Sequence, residues 1–337
     1  MKRAGIGLLV LLVAAALAAP WLAPNDPAAG DRDAFLAPPT PIRIAGEDGR
    51  LRAPVFYPVR LVSRLEQRYD ERRDEPVTLR WFGGGRLLVA PPSAPGQFLL
   101  LGADSFGRDI WSRLVFGART SLAVALVATL ASLLIGMAAG GIAGYAGGWT
   151  DDALMRAADF VLVLPAIYVV LLLRAVMPLV LPASTIFLLM TGIFALVGWP
   201  IVARGVRAIV AAERQRDYAT AAAALGASPL RVLVRHLLPA CRGYLAVQAT
   251  LLAPAFILAE ATLSFVGLGF PDTTPSWGTM LHEAANVAAL GDRPWALAPA
   301  GAIFCVVLGV NLALQGRSAG LLGMTSVGAE GRQTRAR

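Results

Sequence analysis

The chain alternates between long apolar runs and short basic stretches, a pattern that predicts helices crossing a membrane. A hydrocarbon core about 30 Å thick takes roughly 20 residues of α-helix. Six runs approach or exceed that length: Ala4–Leu22, Thr120–Ala143, Ala153–Leu173, Thr185–Ala203, Tyr244–Phe265 and Trp295–Gln315. The first follows the basic start Lys2–Arg3, and Ala16-Leu17-Ala18 resembles a small-x-small cleavage site. The run is long for a signal-peptide core, which favours an uncleaved span.

Arginine sets the orientation. The stretch between spans four and five carries Arg204, Arg207, Arg214, Arg216, Arg231, Arg235 and Arg242, and the tail adds Arg317, Arg332, Arg335 and Arg337. The two short loops on the other side carry only Arg174 and Arg293. Positive charge marks the cytoplasmic side, so both termini are expected there. The fold class expected is an all-α polytopic membrane protein of six helices, with a small mixed α/β insert after the first. The divisions are a helix over 1–24, an extracytoplasmic insert over 25–100, a core over 101–316 with a cytoplasmic loop at 204–243, and a cytoplasmic tail over 317–337.

Within the insert, Ile42-Arg43-Ile44 and Arg50–Val55 flank the turn Gly46–Gly49 and read as a hairpin. Leu61, Val62, Leu65 and Tyr69 recur at helical spacing. Val77–Phe82 and Arg86–Ala90 flank Gly83–Gly85 and read as a second hairpin. Some 75 residues make a marginal core, so the lobe is expected to lean on the membrane part or on a partner.

Composition narrows the chemistry. Of 337 residues 56% are hydrophobic and 15% charged, with a mean hydropathy of +0.62, where a soluble domain carries about 25% charged residues. Lys2 is the single lysine, which excludes a P-loop and a lysine nucleophile or base. Cys241, Cys305, His236 and His282 are too few and too widely spaced for a metal cluster. The net charge of +8 follows the topology and implies no nucleic acid.

Two groups inside the spans invite explanation. Gly136, Gly140 and Gly144 share one helical face and permit close helix packing, within this subunit or against another. Asp159 is an intramembrane carboxylate with Arg156 at i−3, so a structural ion pair competes with a proton or ion site. Glu260 near the end of span five poses the same choice.

The most informative stretch is Asp217–Pro239. Alanine-rich helix ends at Gly226, the residue that most easily takes a left-handed stop. Ser228 is placed to cap a second helix whose first turn holds Pro229. Pro239 is expected to close that helix before span five. A DNA-reading helix-turn-helix would share this local pattern, but a loop tethered at both ends in the membrane has no scaffold for one. A solvated loop without a partner and a docking element for a soluble protein remain.

Asp217-Tyr218-Ala219-Thr220-Ala221-Ala222, Gly226, Ser228-Pro229 and Leu238-Pro239 resemble the EAA loop of permeases of binding-protein-dependent ABC importers. Leu101–Leu122 (LGADSFGRDIWSRLVFGARTSL) and Glu260–Leu281 (EATLSFVGLGFPDTTPSWGTML) are similar to segments of the dipeptide/oligopeptide/nickel branch. Thr220 stands where that pattern has its glutamate. The resemblance implies a non-catalytic subunit of a bacterial inner membrane, paired with a second homologous permease, more in keeping with a heterodimer than a homodimer. Two cytoplasmic ATPase subunits would hold the ATP and magnesium, with none on this chain, and an extracytoplasmic binding protein would deliver peptide or a peptide-like solute. The EAA loop would be the ATPase-coupling element. Nickel complexes or glutathione are the alternative cargo within the branch. A transporter driven by an ion gradient through Asp159 or Glu260, or a mere membrane anchor, are the alternatives outside it.

Overall fold

The structure, a computed structural model, describes residues 2–45, 51–64, 66–165, 168, 169, 172, 181–285 and 293–313. The turn Gly46–Gly49, Leu65, most of the third expected span beyond Pro165, Arg174, Gln315 and the tail 317–337 lie outside the described residues.

The chain begins with helices α1 (Lys2–Leu17) and α2 (Ala19–Leu22), joined through Ala18. Among the described residues seven short strands follow: β1 (Arg43–Ala45), β2 (Leu51–Phe56), β3 (Val59–Ser63), β4 (Arg68–Glu71), β5 (Val77–Thr78), β6 (Arg80–Trp81) and β7 (Leu88–Val89). They form an antiparallel sheet ordered β1-β2-β5 and two hairpins, β3–β4 and β6–β7. The helices are then α3 (Ile110–Ala146), α4 (Gly148–Val163), α5 (Ala183–Arg214), α6 (Asp217–Ala224), α7 (Pro229–Phe265), α8 (Trp277–Ala285) and α9 (Pro294–Ala313).

Four of these, α3, α5, α7 and α9, are long and apolar enough to cross a membrane. As described, α1 and α4 each span 16 residues. The 37 residues of α3 rise about 55 Å, well beyond the hydrocarbon core. Its start is set by the buried Asp109, whose carboxylate accepts from the Trp111 and Ser112 amides at 3.1 and 3.3 Å. Gly147 and Gly148, at φ +67° and +57°, make the tight passage into α4.

Two expectations need correction. The helical spacing read over Leu61–Tyr69 belongs to the β3–β4 hairpin, in which Leu61 and Tyr69 are cross-strand partners. Exposure along β3 alternates residue by residue, the period of a strand with one covered face. Leu61 and Tyr69 therefore meet across a ladder, where equal spacing had implied one face of a helix. The described part of the insert is thus built from strands and two short 3₁₀ turns, Arg32–Ala34 and Gly83–Gly85, with no α-helix among the described residues of 25–100.

The second correction concerns Pro239, which does not end its helix. The segment runs on from Pro229 to Phe265 but changes winding: α-helix to Val232, π-helix over Leu233–Leu237, 3₁₀ over Leu238–Cys241, then α-helix from Arg242. A proline lacks the N–H that an α-helix needs and crowds the carbonyl four residues back. Locally wider and then tighter turns absorb that conflict without breaking the rod.

Contacts divide the chain into two compact units, Met1–Leu122 with Ala261–Arg337, and Ala123–Glu260. In the first, Phe56, Val77, Leu79 and Phe98 form one buried cluster, and Ala34, Ala37, Leu99 and Ala103 another. Clusters this small leave the insert dependent on the chain around it.

Candidate functional site

In the unit Ala123–Glu260, the second half of α3 lies against α5 through its glycine face. A Cβ placed on Gly136 would stand 2.5 Å from Val202 Cβ, and one on Gly144 would stand 2.6 Å from the Arg207 carbonyl oxygen. At Gly140 the obstruction is the backbone of Ala203 itself. Here the three glycines serve packing within the chain. Overpacking usually costs about 1–3 kcal/mol, and backbone cannot swing aside as a side chain can. Gly140→Val is therefore expected to lower the thermal midpoint of the purified protein clearly more than Gly192→Val, whose Cβ meets nothing within 4 Å. Equal shifts would contradict this packing.

The charges of the same unit are paired across helices. The Asp159 carboxylate accepts from the Arg204 guanidinium on α5, and so its partner is Arg204 where the sequence offered Arg156. Arg207 donates to Asp151 through Nε at 2.8 Å. Glu260, in α7, is fully buried.

Below this packed region α6 stands out. Asp217 opens its first turn, where a carboxylate favours the helix dipole. The Tyr218 hydroxyl donates to Glu213 Oε2 at 2.7 Å, and this bond holds the phenol above its ordinary pKa. Thr220 Oγ1 donates to the Asp217 carbonyl at 3.0 Å and is turned back onto its own helix. Ala219 is buried, Ala222 is half-buried, and Thr220, Ala221, Ala223 and Ala224 are exposed. The small side chains make a smooth surface that stays uncovered among the described residues.

The helix stop has a specific geometry. Gly226 sits at φ +83°; its N–H donates to the Ala223 carbonyl at 3.0 Å, and the Ala227 N–H donates to the Ala222 carbonyl at 3.1 Å. These two bonds, one nested in the other, are a Schellman motif. Leu225 is left 89% exposed at the tip, and Leu230 and Tyr218 are exposed beside it. Ser228 holds the extended conformation of a cap residue and its carbonyl accepts from Val232, but its side chain makes no cap bond. That corrects the side-chain capping expected of it. Pro229 occupies the first turn of α7, and Leu238 and Pro239 lie in the 3₁₀ stretch. Leu238 and Leu233 reach Gly141 of α3, at 3.2 and 3.5 Å from where its Cβ would be.

In the other unit, the stretch Leu101–Leu122 and the chain from Ala261 through α8, far apart in sequence, meet around buried charges. The Arg108 guanidinium donates to Asp104 at 2.8 Å, to Glu283 at 2.7 Å and to the Asp272 carbonyl at 2.8 Å. Arg113, fully buried, donates to Glu283 at 2.8 Å and lies 3.3 Å from Asp104 Oδ2. Two cations and two anions alternate, so the cluster is neutral. Burial pushes the Glu283 carboxyl up to about 7 against the pull of Arg113 and Arg108. Trp277 closes the assembly, its indole N–H donating to the Leu114 carbonyl at 3.1 Å and its amide to Ser121 Oγ at 3.2 Å. The adjoining cavity, about 20 Å³, has room for no more than a water molecule, so the cluster is a structural joint and not a solute site.

The four charged side chains of this joint escaped the reading of the sequence. The one local signal was the pair Asp104 and Arg108 at i, i+4 just before an apolar run. Among the described residues no group of three or more His, Cys, Asp or Glu could hold a metal ion.

The chain is similar to known proteins along much of its length. The model of the binding-protein-dependent transport system inner membrane component matches residues 132–316. The model of the N-terminal TM domain of oligopeptide transport permease C matches residues 3–39. The oligopeptide transport system permease protein OppC of Bacillus subtilis is 39% identical over 223 residues, covering 66% of this chain and 70% of the relative. The di/tripeptide transport system permease protein DppC of Pseudomonas aeruginosa is 33% identical over 310 residues, covering 91% of this chain and 83% of the relative.

Proposed function

Because the chain belongs to the family of inner membrane components of binding-protein-dependent transport systems, we propose that it forms half of a translocation pathway for peptides or peptide-like solutes. A second, homologous permease supplies the other half, an extracytoplasmic binding protein delivers the solute, and two separate ATPase subunits carry ATP and magnesium. The chain crosses the inner membrane six times with both termini in the cytoplasm. Peptide is the favoured cargo because the relatives' names, oligopeptide and di/tripeptide permeases, agree on it.

The observation that carries this reading is α6. It is a short helix with a smooth, uncovered alanine face, a locked stop at Gly226 and an exposed Leu225. Such a knob suits a groove on a soluble partner, and its attachment to α5 and α7 passes any push straight into the spans. Energy transferred this way needs rigid contacts and no catalytic group. The change of winding over Leu233–Cys241, between α6 and the long α-helical part of α7, is where that lever would bend. Asp159, held by Arg204, has the part of a packing ion pair in this scheme.

Gentle purification of the tagged chain from its host, with mass spectrometry of what stays bound, tests the assignment. Recovery of P-loop ATPase chains and a second six-span permease is expected. A protein that purifies alone and moves solute into liposomes under an ion gradient would overturn it and return Asp159 to the centre.

A further inference from the structure

Resting on the reading of α1 and α2 as a span whose outer end is Leu22, we propose that the β6–β7 hairpin lies in the outer lipid–water interface and anchors the insert to the membrane surface. The insert presents Trp81 and Phe82 at the end of this hairpin, 56% and 67% exposed, beside Trp21, itself 43% exposed. The Trp21 and Phe82 rings are 6.0 Å apart. Among the described residues these faces stay exposed, as do the apolar side chains of Leu11 and Leu17 on α1.

Two contacts fix the hairpin at the height of the span's end, and a third brings the start of α3 to the same level. The Leu87 N–H donates to the Trp21 carbonyl at 2.7 Å. The Arg86 guanidinium donates to the Pro24 carbonyl at 2.5 Å. Trp111, in the first turn of α3, donates its indole N–H to the Leu22 carbonyl at 3.1 Å, so two apolar helices end at one level and the hairpin sits there. Lys2–Leu22 rises about 31 Å if helical throughout, one hydrocarbon thickness. Indole and phenyl rings at that boundary find both an apolar and a wet side. The exposed Arg80 beside them can meet lipid phosphate.

Backbone strain points the same way. Phe82 holds φ +55°, with Gly84 and Gly85 at +58° and +76°. A bulky side chain in the left-handed region is disfavoured, and packing inside the chain does not compensate, since the ring is mostly uncovered. Lipid contact outside the chain offers that compensation.

The test uses the full-length chain in nanodiscs of phosphatidylethanolamine and phosphatidylglycerol. In a Cys241→Ser, Cys305→Ser background, an environment-sensitive fluorophore is placed on Phe82→Cys, Leu11→Cys or Glu66→Cys, and spin-labelled lipids quench at shallow or deep positions. The Phe82 probe is expected to be quenched most by the shallow label, Leu11 most by the deep one, and Glu66, in the β3–β4 turn, by neither. Trp81→Cys, which keeps Phe82, repeats the reading at a second position. Deep quenching at Leu11 with none at Phe82 and Trp81 overturns the anchor and leaves the span intact. So does a Phe82 probe that responds only when the second permease or the binding protein is added, because the occupant is then a protein. A Leu11 probe that escapes the deep label removes the span reading, and the anchor falls with it.

Discussion

A Gly226→Asp chain is expected to reach the membrane at the wild-type level yet lose transport by roughly tenfold or more, the factor that about 1.4 kcal/mol of lost contact energy implies. The space around the residue is not the cause, since a Cβ there would meet nothing within 4 Å. Two other effects combine. At φ +83° any side chain carries left-handed strain, about 1–2 kcal/mol for most residues and less for asparagine and aspartate. The carboxylate would also stand next to the exposed Leu225, on the surface proposed to meet the ATPase, where a buried unpaired charge is costly. Gly226→Asn separates the two, because it keeps the left-handed stop without the charge, and most of the uptake should remain. In the assembled complex, Gly226→Asp should also leave ATP hydrolysis unresponsive to loaded binding protein. Wild-type uptake in the aspartate variant at equal expression would sink the assignment of α6.

How much of this could be read from the residues depended on the range of the interactions. The stop at Gly226 was legible because its chemistry is local: an alanine run, one glycine, then Ser-Pro within three residues. Four of the six expected spans, those that α3, α5, α7 and α9 match, were legible for the same reason, as hydropathy needs no partner. Proline in Leu238-Pro239 was a local signal too, yet it was read as a terminus when the neighbouring turns could rewind around it. The Leu61–Tyr69 spacing fitted a helix and a hairpin equally, and only the cross-strand pairing decided between them. The partner of Asp159 was misjudged because Arg156 is near in sequence, whereas Arg204 comes from another helix.

The ion cluster is the extreme case, with Arg108 and Glu283 separated by 175 positions. Its size makes the largest stability prediction. Arg113→Ala removes a fully buried cation from a neutral set of four charges and leaves Asp104 and Glu283 sharing Arg108. Breaking a buried pair in this way costs about 3–5 kcal/mol, which should appear as a large fall in the thermal midpoint of the purified protein. The fall should depend on pH in a definite sense. Glu283 already titrates near 7 in the folded chain, above its ordinary 4.5, with Arg113 opposing the rise. Without Arg113 the folded pKa climbs further, so the folded state keeps a proton that the unfolded chain releases above about 4.5. Wild type keeps the same proton up to about 7, so the added cost relative to wild type is absent below that pH and grows until the variant's higher folded pKa is passed. The gap between Arg113→Ala and wild type should thus be smaller at pH 5 than at pH 8. Adding Glu283→Gln to Arg113→Ala removes the stranded carboxylate and should narrow the gap at pH 8 specifically. A gap that ignores pH, or a double variant whose loss is the sum of the two single ones, would mean that Glu283 and Arg113 are neighbours without being coupled.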